Sequence, residues 1–260
     1  MIHGIRVEDG KALWYKNKFV TSPFGFGPNT HVLKHGEKIY ALVEGGVSPV
    51  IMDSEMNFLE EEPFPAADNK RFTAHPKIDS DTGEMHAVSY DFGEYVNGLG
   101  QVHYVTIDSN GKLIKDQIIE TPSRPMVHDC AITKNYVLIF DLPVTFNLGR
   151  RDDDNNPIGG DYPVVWNDKH TSRVGLQNKK TDEIIWIEVN PGFLFHIVNS
   201  YEDDNGQVIL DFCRYERLFD FDNPLPMGQK PFLTRWILDP KTKTCSCLLY
   251  TSDAADDANC

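Results

Sequence analysis

The chain has 260 residues, 40% of them hydrophobic, and a formal net charge of -14 at neutral pH; that is enough apolar material for one large core or two small ones. Such an acidic surface repels phosphate backbones and anionic headgroups, and no basic stripe overrides it, which argues against nucleic-acid and membrane-surface roles. No apolar run is long enough to cross a bilayer and the opening MIHGIRVEDGK holds no signal-peptide core, so the chain reads as soluble and cytoplasmic.

In chain order, short runs rich in Val, Ile, Leu, Tyr and Phe alternate with tight-turn signals. "HVLKHGEKIYALVE" (31–44), "HYVTIDSNGKLIKDQII" (103–119), "AITKNYVLIFDL" (131–142) and "IVNSYEDDNGQVILDFCRYE" (197–216) each predict a hairpin around HGEK, DSNGK, TKN or DDNGQ. The segment Tyr136 to Leu142 reads as a buried strand. No stretch shows helical periodicity, and sixteen prolines with nineteen glycines punctuate the chain too often for long helices, so the fold class is all-β. Hairpins recurring every roughly 30 to 50 residues match the spacing of propeller blades, with a sandwich as the alternative on spacing alone. The polar loop 147–168 carries Asp152, Asp153 and Asp154, a calcium-type cluster without the EF-hand pattern that reads as a solvated loop. The cysteines Cys130, Cys213, Cys245, Cys247 and Cys260 lack the spacing of a disulfide framework or a zinc knuckle. From Cys247 onward, "CLLYTSDAADDANC" resembles the translation of a transposon adapter used in DNA sequencing. The natural domain is therefore expected over 1–246, with 247–260 an artefactual tail.

Of nine histidines, His3, His31, His35, His86, His103 and His170 lie among polar residues or at turn edges and are expected at the surface. His75 in "RFTAHPKIDSDTGE", His128 in "RPMVHDCAIT" and His196 in "PGFLFHIVNSYED" differ: each follows apolar or aromatic residues and leads into a hairpin. They are too far apart for a local zinc motif, but a propeller gathers its innermost strands around one axis. Imidazoles converging there would hold iron, copper, nickel or zinc, the alternative being three hydrogen-bonded core histidines. A metal-bound histidine usually donates its other N–H to a carboxylate or carbonyl, and Glu44 in "IYALVEGGVSP" is the best placed for that. Asp129 ranks lower, because neighbours along a strand point opposite ways.

The strings "ALVEGG", "FTAHPKIDSDTGE", "MVHDCAIT" and "FLFHIVNSYED" resemble the histidine motifs of the carotenoid oxygenases, the retinal pigment epithelial membrane protein family of carotenoid, apocarotenoid and lignostilbene cleavage dioxygenases. The resemblance runs in order from about Trp14 to about Leu238. It implies a seven-bladed β-propeller with one Fe(II) per subunit, held by four histidines and no carboxylate ligand. Three of the ligands fall on His75, His128 and His196, and Glu44 falls on a glutamate that orients a ligand. The fourth histidine lies nearer the C-terminus in relatives, whereas no histidine follows His196 here, and relatives carry more sequence ahead of "WYKNKFV". The expectation is a partial propeller lacking N- and C-terminal portions, inactive by itself, from a longer enzyme.

The reaction the resemblance implies is oxidative scission of a C=C bond by O2 to give two carbonyl products. Phe140, Phe193 and Phe195, with Phe146, are candidate walls of an apolar substrate tunnel. A carotenoid or apocarotenoid polyene is the first substrate reading. A lignostilbene-type diaryl alkene is the second, with Tyr15 offered as a phenol contact. The longer protein is left open to peripheral membrane contact. A calcium-dependent propeller hydrolase would need convergent Asp, Asn and Glu, and a non-catalytic propeller binding module would leave the three histidines scattered.

Overall fold

A computed structural model of the chain describes residues 1–20, 27–44, 48–61, 72–90, 102–146, 164–220 and 229–250. The acidic cluster at 152–154 lies outside them. Among the described residues there are twenty strands and no helix, as the turn-rich sequence predicts. The chain divides into two compact units, one of residues 1–94 with 101–119, the other of 95–100 with 120–260.

The first unit opens on a hairpin of β1 (Ile2–Glu8) and β2 (Lys11–Lys18). Two antiparallel four-stranded meanders follow. One is β3 (His31–His35), β4 (Lys38–Leu42), β5 (Val50–Met52) and β6 (Phe58–Glu61); the other is β7 (Lys77–Ile78), β8 (Met85–Tyr90), β9 (Val102–Ile107) and β10 (Leu113–Ile119). Strands β8 and β9 are buried along their whole length, as expected of central strands covered on both faces. The core joins Tyr40, Leu42, Ile51 and Phe72 to Met85, Ala87, Val105 and Ile107.

In the second unit, β11 (Ala131–Ile132) and β12 (Tyr136–Asp141) are followed by a separate hairpin, β13 (Val144–Phe146) and β14 (Val164–Trp166). The sheet then resumes with β15 (Arg173–Asn178) and β16 (Ile184–Glu188) in the order β11-β12-β15-β16. The last meander is β17 (Phe193–Glu202), β18 (Val208–Tyr215), β19 (Phe232–Asp239) and β20 (Thr244–Tyr250). Strand β20 pairs with β19 on both sides of residue 246, Ser246 facing Ile237 and Cys247 facing Trp236. Trp236, 1% exposed, packs edge-on against Phe212 with ring centroids 4.5 Å apart. All four hairpins read from the sequence form, and the buried strand expected over Tyr136 to Leu142 is β12, Tyr136–Asp141, buried from Val137 onward.

The register places the turns between first and second and between third and fourth strands at one end of each sheet. Many of these turns are closed by an aspartate that accepts nearby backbone N–H groups. Asp53 takes those of Glu55 and Asn57, Asp108 those of Asn110 and Lys112, Asp203 those of Asn205 and Gln207, and Asp239 those of Lys241 and Thr242. This is the Asx-turn device. Hydrogen bonds to the ionised form hold all four carboxyls below their ordinary value. In the DSNG and DDNG turns, Gly111 and Gly206 adopt φ of 82° and 80°, which side-chain-bearing residues rarely do.

The expectation of surface imidazoles is corrected at four positions. His35, His86, His103 and His170 are 4%, 0%, 6% and 8% exposed. Each has a polar partner distant in sequence: the Gly83 carbonyl, the Tyr104 hydroxyl, Asp116 and Asp141, all at 2.8 to 2.9 Å. Asp141, fully buried, also takes Arg173 Nε at 2.7 Å, so that charge is matched by a cation rather than left alone in the core.

Candidate metal centre

The end of the four-stranded sheets away from the aspartate turns carries His75, His128, His196 and Glu44, singled out in the sequence, and with them His31 and Tyr90. His31 opens β3, and Glu44 lies just past β4. His75 precedes β7, and Tyr90 closes β8. His128 precedes β11, and His196 lies early in β17.

In the second unit, the Nε2 atoms of His128 and His196 stand 3.2 Å apart, with ring centroids at 5.0 Å and planes inclined by 70°. His128 is half-buried and His196 exposed. The ladder around His196 is irregular. Leu194 faces Arg214 and Ile197 faces Phe212, so Phe195 and His196 share Cys213 as counterpart; Val198 has none between Phe212 and Asp211. Such bulges bend a strand and re-aim a side chain. Asp129, 3% exposed, accepts the N–H of Cys130 at 2.8 Å and that of Ile197 at 3.3 Å. Alternation along a strand does not govern it, because β11 begins only at Ala131.

Phe195 lies edge-on to His128 at 5.2 Å and to Phe193 at 5.0 Å, with Tyr215 and Phe219 completing an aromatic group. Phe140 and Phe193, 2% and 1% exposed, belong to the hydrophobic core of this unit. Phe146 is half-buried against the same core. No disulfide links Cys130, Cys213, Cys245 and Cys247. Burial pushes the Cys245 thiol up to about 12.

In the first unit, His75 is half-buried, and its N–H donates to Thr73 Oγ1 at 3.2 Å. The His31 ring stands 6.4 Å from that of His75, and its Nδ1 donates to the Ala74 carbonyl at 2.9 Å. Sequence reasoning passed over His31; the signal was that it begins a first strand, as the other three lie at or near the start of theirs. The Tyr90 hydroxyl donates to Glu44 Oε1. Burial first, then the negative charge of Glu44, raises the Tyr90 phenol well above its ordinary value. Tyr15, offered as a phenol contact, is exposed on the β1–β2 hairpin and bonds His3 Nδ1 through its hydroxyl.

Two imidazole nitrogens about 2.1 Å from one ion lie about 3.0 Å apart at a right angle and about 3.4 Å apart at the tetrahedral angle. The His128–His196 separation falls between these values, so the pair fits two adjacent positions on one transition-metal ion. A neutral all-nitrogen donor set suits iron, copper, nickel or zinc rather than calcium or magnesium.

Among the described residues no helix is long and apolar enough to cross a membrane. Residues 26–258 match the family described as Retinal pigment epithelial membrane protein. A "Carotenoid cleavage oxygenase" of Mycobacterium tuberculosis is 32% identical over 316 aligned residues, covering 99% of this chain and 61% of that protein. "Resveratrol cleavage oxygenase 1" of Chaetomium globosum is 28% identical, covering 94% of this chain and 42% of its own length. The crystal structure of Pseudomonas brassicacearum lignostilbene dioxygenase superposes with a TM-score of 0.72 at 25% identity, over 88% of this chain and 48% of that one. The chain thus spans less than two thirds of the length of these relatives. Its sheets are blades of the carotenoid oxygenase β-propeller, as expected, and the chain belongs to the family described as Retinal pigment epithelial membrane protein.

Proposed function

We propose that the protein is an Fe(II)-dependent dioxygenase that cleaves a C=C bond of a carotenoid or apocarotenoid with O2, giving two carbonyl products. The observation that carries this reading is the 3.2 Å approach of His128 and His196, in a chain of this family and fitted to adjacent positions on one ion. His75 is the third ligand in this proposal, taken from its place in the "FTAHPKIDSDTGE" motif. Bound iron supplies the one-electron chemistry that lets O2 react with an alkene. The chain's residues bind, orient and exclude water. Neutral imidazoles hold the ion without cancelling its charge. Glu44, with its carboxylate steadied by the Tyr90 hydroxyl, orients a ligand ring. Phe195, beside His128, offers an apolar wall to the substrate.

A polyene is favoured by the mycobacterial relative, which matches 99% of the chain. A stilbenoid alkene is the second reading, supported by the names of the fungal relative and the Pseudomonas structure. Incubation of the iron-loaded protein, spanning the full length of its relatives, with O2 and either an apocarotenal or a hydroxystilbene separates the two by the aldehydes released. Absence of carbonyl products from both, at full iron occupancy, would sink the proposed reaction.

A further inference from the structure

We propose that Asp129 is the positioning residue of the His128–His196 pair and acts through the backbone rather than through either ring. The proposal rests on the reading of that pair as metal ligands. The carboxylate is divided between two segments: Oδ1 accepts the N–H of Cys130 at 2.8 Å and Oδ2 that of Ile197 at 3.3 Å. Cys130 follows His128 by two residues and Ile197 follows His196 directly. One buried side chain therefore joins the two stretches of backbone that carry the rings, which are 68 residues apart in the chain.

The join is needed where it occurs. At Leu194 to Asn199 the β17–β18 ladder is irregular, so sheet pairing does not by itself fix where His196 sits. Further along β17 the same two segments are tied twice more, away from the rings. Ser200 Oγ donates to the Ile132 carbonyl at 2.8 Å, and the Glu202 carboxylate accepts Thr133 Oγ1 and the backbone and side-chain N–H groups of Asn135 at 2.6 to 2.7 Å. Aspartate suits the ring end because an ionised carboxylate is acceptor-only, with an oxygen for each amide. Asparagine would keep one acceptor and turn a donor toward the second N–H. Ligand distances in metal sites fall within about 0.2 Å of their usual values, and loss of supporting contacts typically costs about 10–100-fold in metal affinity.

The test compares Asp129→Asn with Glu202→Gln, which loosens the same join at a distance from the rings. Hydrogen exchange at the Cys130 and Ile197 amides is measured without metal, and Co(II) binding is then followed by its visible absorption. For Asp129→Asn we expect faster exchange at both amides, a changed Co(II) spectrum and affinity weakened about 10–100-fold. Glu202→Gln should speed exchange at Asn135 and leave Co(II) affinity within about twofold of the parent, well inside that range. Asp129→Glu keeps both acceptor oxygens and guards against a folding failure; slow exchange and a smaller loss of affinity are expected. Unchanged exchange at Ile197, an unchanged Co(II) affinity in Asp129→Asn, or an equal loss in Glu202→Gln would each overturn the proposal. A parent protein spanning the full length of its relatives that takes up no Co(II) overturns the ligand reading itself and the positioning role with it, whatever the exchange rates show.

Discussion

The two ends of each sheet are built by different means. At the turn end, Asp53, Asp108, Asp203 and Asp239 bond to amides two to four residues away, so each turn is closed by its own sequence. At the histidine end the bonds span long stretches of chain: 43 residues from His31 to Ala74, 46 from Tyr90 to Glu44 and 68 from Asp129 to Ile197. Local bonds form as soon as a hairpin does. Long-range bonds exist only once the sheets have packed, and they cost more loop entropy to make. In the proposed reading chemistry falls to the end that the Asx turns do not close, whereas at the other end locally closed turns are supplemented by a few long-range ties, such as Glu202 to Asn135 and His35 to Gly83.

Breaking the histidine end should have the largest effect. His196→Ala is expected to lower Co(II) affinity by more than about 100-fold, beyond the range typical of outer partners. Asp203→Ala, at the far end of the same hairpin, should leave it unchanged; a titration showing equal losses would mean that the two ends are not independent. Next comes Tyr90→Phe, which leaves Glu44 without its buried hydroxyl donor and should cost about 1–3 kcal/mol in urea unfolding. The Tyr90 phenol, raised in the folded state, should also ionise later than exposed tyrosines in an ultraviolet titration. The stability it contributes is present below about pH 10 and lost as pH rises toward its folded value. At the turn end, Gly206→Ala forces a side chain into φ of 80°, for which a loss of about 1–2 kcal/mol is expected in the same unfolding assay. The smallest effect is the acid limb. The turn aspartates are held below their ordinary value when folded, so their contribution is present above about pH 4 and lost as pH falls further. Asp108→Asn combined with Asp203→Asn should flatten the fall of Tm between about pH 4 and 2, where carboxyls of this kind titrate.

The same division explains what the sequence made legible. The hairpins at 31–44, 103–119, 131–142 and 197–216 were readable because turn chemistry and alternation are local. His128 and His196 were readable as a pair only through repeated context and family motifs. His35, His86, His103 and His170 were misread as surface residues because their partners lie 13 to 48 residues away and no local pattern marks them. Strand alternation ranks Asp129 low as a ring partner, but that rule does not apply to the segment ahead of β11.

The bulged register of β17 has one more consequence. β17 is the first strand of its sheet, with β18 on one side only. A straight edge offers an even row of amides and carbonyls on which another chain can add a strand. Here the row is broken between Leu194 and Asn199, and one of its donors is already engaged by Asp129. The distortion that aims His196 therefore also makes this edge a poor template for aggregation.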